Sequence, residues 1–275
     1  MGSIALFIMK TYCLFCFATY ALSLITILGV VNLLKPEIRE RLAQFKPVWL
    51  LPILLIPIGS WLTHSIIMDQ LGGKKLPLII QESVLEWQNN PSHTFDYTTG
   101  VTYGDSVESA KHMIVEFVDL FCPHCKFASS PLKAFIKSRS DVTLLVKLFP
   151  IDGSCNSAIN KSGDGFRCKW SSVVVCANQK GQGTKTLNWI FDRQAYLAQM
   201  SFDAGLKDLL DSNAELNASE LNECINSERT LKTIQSMADE GKKAGIKGTP
   251  SIFLNTRQLP RGQLIPVLEA AVKSF

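Results

Sequence analysis

The chain has 275 residues, length for one domain or two, and 47% of them are apolar, with a mean hydropathy of +0.14. That balance argues for membrane segments beside a globular part. The net charge of +4 is too small to point to a partner, and no internal repeat, low-complexity tract, phosphate-binding glycine loop or basic nucleic-acid face is present.

The first element is a run of 24 uncharged residues between Lys10 and Lys35. As a helix it would measure about 36 Å against a hydrocarbon core of roughly 30 Å, so a transmembrane helix is expected. A second uncharged run between Lys46 and Asp69, containing Trp49, Trp61 and His64, would span about 33 Å. Pro52 and Pro57 would break a helix in water, but membrane helices tolerate proline where neighbours or waters satisfy the freed carbonyls. The connection between the runs carries Lys35, Arg39, Arg41 and Lys46, whereas Lys10 precedes the first run and Lys74 and Lys75 follow the second. The positive-inside rule therefore puts the connection in the cytoplasm and both chain ends outside. A cleavable signal peptide fits less well, because the apolar run is too long and no charged start or Ala-x-Ala-like site frames it.

Residues 69–92 read as a juncture between this membrane segment (1–68) and a globular part at 93–275. Leu78, Ile79, Val84, Leu85 and Trp87 can line one face of a short helix, lying on the membrane surface or serving as an ordinary linker. Asn89-Asn90-Pro91-Ser92 then reads as a loop. From His112 the apolar run MIVEFVDLF is expected as a buried strand that delivers Cys122 to a helix start, and VTLLVKLF, residues 142–149, as a second strand. One helix's length separates them, so a right-handed βαβ unit is the economical reading. Residues 169–244 read as helical, with breaks near Gly181 to Gly183 and Ser212 to Ala218. GTPSIFLN follows, then a short edge strand at Arg257 to Leu259 and a closing helix from Leu264.

The cysteines carry the chemistry. Cys13 and Cys16 form a Cys-x-x-Cys pair at the start of the first apolar run, and Cys122 and Cys125 form another at the end of a β-like run, as the redox turn of a thioredoxin fold does. One dithiol in lipid and one in water suggest electrons passed between them. Cysteines at i and i+3 of a first helical turn can close a small disulfide ring, and Cys122 at the helix N-terminus meets free N–H groups and the macrodipole, which stabilise a thiolate. His124 between the cysteines adds positive potential and a donor, or is only a solvated helix residue. Zinc knuckles share the spacing, but zinc needs two more ligands and the strand-to-helix setting is redox-like, so no metal is expected.

Glu116, two residues before Val118, is expected to face the interior beneath the cysteines. A carboxylate buried there has a raised pKa and can shuttle the Cys125 proton; the alternative is a salt-bridged edge carboxylate. Thr249-Pro250 fits the position where thioredoxin folds set a cis-proline opposite the active cysteines, with backbone free to pair with an extended substrate. Cys155, Cys168, Cys176 and Cys224 can pair in three ways. Pairing favours an oxidising compartment, and four buried free thiols are the alternative.

EFVDLFCPHC, residues 116–125, resembles the corresponding stretch of the DsbA family of bacterial disulfide oxidases. With the helical insertion and the downstream Thr-Pro, the resemblance covers roughly residues 93–275. It implies an α/β thioredoxin fold with a DsbA-like helical insertion, here preceded by two transmembrane helices. It implies oxidase chemistry as well: DsbA and thioredoxin potentials differ by about 150 mV, or roughly 7 kcal/mol for a two-electron couple. Structural disulfides Cys155–Cys168 and Cys176–Cys224 are expected, the first closing a loop across a Gly-containing stretch. The second would tie the start of the insertion to its end, as in some DsbA-like relatives.

CLFCFATYAL, residues 13–22, resembles the fourth membrane helix of the vitamin K epoxide reductase family. Bacterial members of that family often continue through a fifth helix into an extracytoplasmic thioredoxin-like domain, the order found here. The resemblance implies a membrane dithiol that passes two electrons to a quinone, with Cys16 next to the quinone, Cys13 its exchange partner nearer the surface, and Tyr20 in the pocket. It also implies three further helices and a loop cysteine pair, either upstream of Met1 or on a separate polypeptide supplying that half; residues 1–9 read as the tail of the third helix. The expected whole is a multi-pass inner-membrane thiol:disulfide oxidoreductase with an extracytoplasmic domain that acts on substrate proteins bearing free thiols. The rival readings are a reductase or isomerase running the opposite way, and a non-catalytic tethered module that holds extended clients along the Thr249-Pro250 edge.

Overall fold

The computed structural model describes Ile25, residues 75–104 and residues 110–274. Ile25 aside, the two apolar runs lie outside these residues, and Cys13, Cys16 and Tyr20 lie outside them as well. Among the described residues no helix is long and apolar enough to cross a membrane.

Lys75–Phe275 forms one compact unit around a five-stranded sheet. Its centre is β2 (His112–Val118) and β3 (Val142–Leu148), parallel neighbours joined through α2 (Pro123–Lys137), with Ile114 opposite Leu144 and Glu116 opposite Val146. All residues of both strands are buried, and strands covered on both faces read as continuous apolar runs rather than alternating ones. The strand β1 (Val101–Tyr103) pairs antiparallel outside β3; on the other side β4 (Ser251–Leu254) pairs antiparallel with β2, and β5 (Arg257–Gln258) closes that edge. The sequence reading had no strand at β1. Three residues are too few to register a period of two.

Side chains alternate between two apolar layers. Ile114, Val118, Leu144, Val146 and Leu254 enter the larger core, while Val115, Phe117 and Phe253 join Phe95 and Phe149 in an aromatic cluster on the opposite face. Between β3 and β4 the chain forms the insertion: α3 (Phe166–Gln179), α4 (Gly183–Leu197), α5 (Phe202–Ser212), α6 (Ala218–Ile225) and α7 (Glu228–Lys243). The two expected breaks are present, and two more occur before α5 and α7. Ser201 and Ser227 make them, each accepting a hydrogen bond from the backbone N–H three residues on and so ending one helix by capping the next. Trp170, fully buried, anchors the insertion, and a Cβ on Gly205 would stand 2.8 Å from its ring, so only glycine lets α5 approach so closely.

The interval read as a juncture contains α1 (Leu76–Asn89), and its apolar face differs from the expected one. Ser83 and Trp87 are buried and Ile79, Ile80 and Val84 pack partly against the core, whereas Leu78 and Leu85 are 67% and 51% exposed. Positions 80, 83 and 87 share one helical face, and 78 and 85 share another. The Trp87 indole donates to the Leu254 carbonyl at 3.3 Å, and α8 (Ile265–Lys273) packs against α1. This helix therefore belongs to the same packed unit as the sheet.

Candidate active site

Cys122 is the N-cap of α2, with an extended backbone, and Pro123 opens the helix, where a missing N–H costs nothing. Cys125 lies in the same first turn. The two thiols are reduced and differ in environment: Cys122 is partly exposed, while Cys125 is fully buried. The Cys122 thiol donates to the Thr249 carbonyl at 3.2 Å, and the Thr249-Pro250 bond is cis. His124 is exposed on the first turn of α2, beside both cysteines in sequence.

Burial pushes the Cys125 thiol well above its ordinary pKa, against the opposing effect of hydrogen bonds from the Thr249 side chain and the Asp119 backbone; Cys122 and Glu116 push it up further. Glu116 lies inside the sheet and is 2% exposed, with its Oε1 lacking a hydrogen-bond partner. Burial raises its pKa to about 8, and the Lys133 charge pulls it part of the way back. The Lys133 ammonium and the Tyr103 hydroxyl both donate to the Asn188 side-chain oxygen, the tyrosine at 2.9 Å, and the ammonium lies 5.4 Å over the Tyr103 ring. Glu116 thus interacts electrostatically with both Lys133 and the buried Cys125 thiol, an arrangement suited to moving one proton.

The match of the thioredoxin family model extends from residue 97 to residue 273, over the sheet, the Cys-x-x-Cys turn and the Thr249-Pro250 edge. The chain belongs to the thioredoxin family. No curated protein matches it in sequence. Among solved structures, BdbD from Bacillus subtilis in its oxidised form aligns with a TM-score of 0.55 at 18% identity, over 67% of this chain and 97% of that one. The thiol-disulfide exchange protein α-DsbA2 from Wolbachia pipientis aligns with a TM-score of 0.50 at 14% identity, over 71% and 96% respectively. At these identities the likeness shows the fold alone, a DsbA-type thioredoxin fold with a helical insertion.

Of the residues named from the sequence, the thioredoxin-family domain brings Cys122, Cys125, Glu116, Thr249 and Pro250 to one place. His124 is there too, turned to solvent. Disulfides join Cys155 to Cys168 and Cys176 to Cys224. Three further residues brace the nucleophile loop and were not singled out in the sequence. Gln194 on α4 donates to the carbonyls of Leu120 (2.8 Å) and Cys122 (3.0 Å). The Asp119 carboxylate accepts from the backbone N–H groups of Phe121 and Ile151, both at 2.7 Å, and pairs with Arg167 at the start of α3. A second carboxylate, after Glu116, in the apolar run MIVEFVDLF is a legible sign of a buried acceptor; Gln194, amid ordinary helical sequence, carries none.

Proposed function

We propose that this chain is a membrane-anchored thiol:disulfide oxidoreductase of the DsbA type, acting outside the cytoplasm and oxidising the thiols of substrate proteins. The observation that carries this reading is the asymmetry of the pair, an accessible Cys122 at a helix N-terminus against a fully buried Cys125, with the buried Glu116, its pKa raised by burial, interacting with Cys125. A substrate thiolate attacks Cys122 Sγ of the oxidised pair, the S–S bond breaks, and Cys125 leaves and takes a proton, for which Glu116 is the nearby acid. A second substrate thiolate attacks its own sulfur in the mixed disulfide and Cys122 departs as a thiolate. The substrate has lost two electrons and the domain has gained them. The Thr249 carbonyl, next to the attacked sulfur, offers an acceptor to the backbone of an extended substrate.

The sequence reading extends this to Cys13 and Cys16 as the membrane dithiol that reoxidises the domain, with Tyr20 beside a quinone; these residues are outside the described part. The quinone would accept the two electrons, while substrate oxidation needs only the domain's own residues. The experiment uses the full chain in detergent, oxidised, and a reduced dithiol peptide. The fast oxidation should be lost in Cys122→Ala, and redox titration should give a potential nearer about −120 mV than about −270 mV. Undiminished peptide oxidation by Cys122→Ala would overturn the reading. A thioredoxin-like potential would reverse its direction.

A further inference from the structure

The loop between β3 and α3 carries chemistry that the site above does not use. The buried Asp152 carboxylate gathers it, accepting from the Ser154 hydroxyl (2.6 Å) and from the N–H groups of Ser154, Gly163 and Gly165. Within it the Cys155–Cys168 disulfide has one sulfur owner that is 2% exposed, Cys155, and one that is partly exposed, Cys168. Cys168 sits in the first turn of α3, between Arg167 and the exposed Lys169, and its Sγ lies 3.4 Å from the Ser154 hydroxyl. Both half-cystines line a cleft of about 410 Å³, walled also by Lys169, Ser172, Leu231 and Glu228, the last paired with Lys232. Cys168, like Cys122, is the partly exposed half of its pair at a helix start, although its buried partner Cys155 comes from the loop rather than from the same turn.

The second disulfide provides an internal comparison. Cys176 lies deep in α3 and is 2% exposed, and its partner Cys224 is partly exposed and lines a smaller cleft of about 210 Å³ with it. The difference between the bridges lies in helix polarity, because Cys224 is the last residue but one of α6. A thiolate at Cys224 meets the negative end of a helix dipole, whereas one at Cys168 meets the positive end. A disulfide whose reduced form is stabilised in this way is the more oxidising and the more readily exchanged.

We propose that Cys155–Cys168 is a second thiol-exchange site, one that opens within the folded domain to an incoming thiol and thereby stores a second pair of oxidising equivalents. A thiolate entering the cleft attacks Cys168 Sγ, the Cys155–Cys168 bond breaks, and Cys155 leaves and is protonated from solvent. A second thiolate then attacks the incoming sulfur of the mixed disulfide, forming an external disulfide and releasing Cys168 as a thiolate. Two thiols are oxidised and one cystine is reduced. The state of this bond is wired to the first site, because Arg167 holds Asp119, Asp119 holds Ile151 at the loop's start, and the Phe166 ring packs 4.8 Å from that of Phe121.

The test uses the full chain in detergent carrying Cys122→Ala and Cys125→Ala, so that it stands apart from the activity proposed for that pair. The protein is equilibrated with graded reduced glutathione, free thiols are alkylated, and each cysteine is read by peptide mapping while circular dichroism follows the fold. Cys155 and Cys168 should become free at a glutathione concentration at least about tenfold below that needed for Cys176 and Cys224, with an unchanged spectrum and glutathione first found on Cys168. Opening of the two disulfides together, opening only with loss of the fold, or first capture on Cys155 would each overturn the proposal. A full chain carrying only Cys168→Ala gives a second readout, since its Cys155 should be free and unreactive to glutathione; ready capture at Cys155 would contradict the assignment of Cys168 as the attacked sulfur.

Discussion

The Cys122 thiol and the Thr249 carbonyl meet at 3.2 Å although 127 residues separate them in the chain. The contact joins the end of the β2–α2 turn to the strand that returns after the whole helical insertion, and Gln194 within the insertion clamps the same turn by its carbonyls. The nucleophile is therefore positioned by three segments remote in sequence. A loop held in this way loses little ordering entropy when a substrate docks.

Alkylation should report the asymmetry of the pair directly. In the reduced chain near pH 6, Cys122 should be carboxymethylated well before Cys125, which is fully buried and whose thiol is pushed far up in pKa by that burial. Peptide mapping that found Cys125 labelled first would reverse the roles of the two.

Glu116 should cost stability at neutral pH. Its pKa rises from 4.5 to about 8 on folding, chiefly by burial, so from about pH 4.5 upward the unfolded chain ionises while the folded one does not. The penalty is absent below the unfolded value, grows through the window, and levels off above about pH 8. At pH 7 it is on the order of 3 kcal/mol. Glu116→Gln should therefore raise the denaturation midpoint of the reduced domain at pH 7 and leave it nearly unchanged at pH 4, while slowing formation of the mixed disulfide at Cys122, the step in which Cys125 takes a proton. Equal effects at both pH values would show that the carboxyl is not held neutral.

The parts of this fold that could be read in the sequence are those with a local cause. The strands at 112–118 and 142–148 announce themselves because parallel strands covered on both faces are continuously apolar, and Cys122 announces a helix start by spacing alone. What escaped has a non-local cause. Strand β1 exists only because β3 offers it a free edge, and the inward face of α1 is chosen by the Leu254 carbonyl and α8 rather than by its own leucines. Gln194 and Lys133 join the site through contacts that only the folded insertion creates, so neither has a signature along the chain.

Lys147 on the other side of the sheet offers a sharp asymmetry. Its side chain is 0% exposed, and it donates to Glu240 at 3.0 Å, to the Asp96 carbonyl at 2.7 Å and to the Thr99 hydroxyl at 3.1 Å. Removing Glu240 leaves an ammonium ion buried with only neutral acceptors, whereas removing the lysine leaves a carboxylate that is 13% exposed and can reach water. Glu240→Ala should cost about 3 kcal/mol, more than Lys147→Met, and the double variant should recover part of the loss. Denaturant titration of the three variants measures this. A greater loss in Lys147→Met would mean that its backbone contacts, not the ion pair, hold the loop at 96–99.

The Cys176–Cys224 bridge ties α3 to α6 across 48 residues, and the chain-entropy account of such a loop gives it about 4 kcal/mol, with the mechanism dependent on that account. Replacing both cysteines by alanine should lower the denaturation midpoint by that order, since most of the insertion is then free to expand in the unfolded state. The change should not alter the rate at which a dithiol peptide reduces Cys122–Cys125, because neither cysteine touches the nucleophile loop. A rate that fell along with stability would show that the insertion transmits its order to Gln194, and through it to the Cys122 carbonyl. In that case the bridge would be part of the catalytic scaffold rather than a staple remote from it.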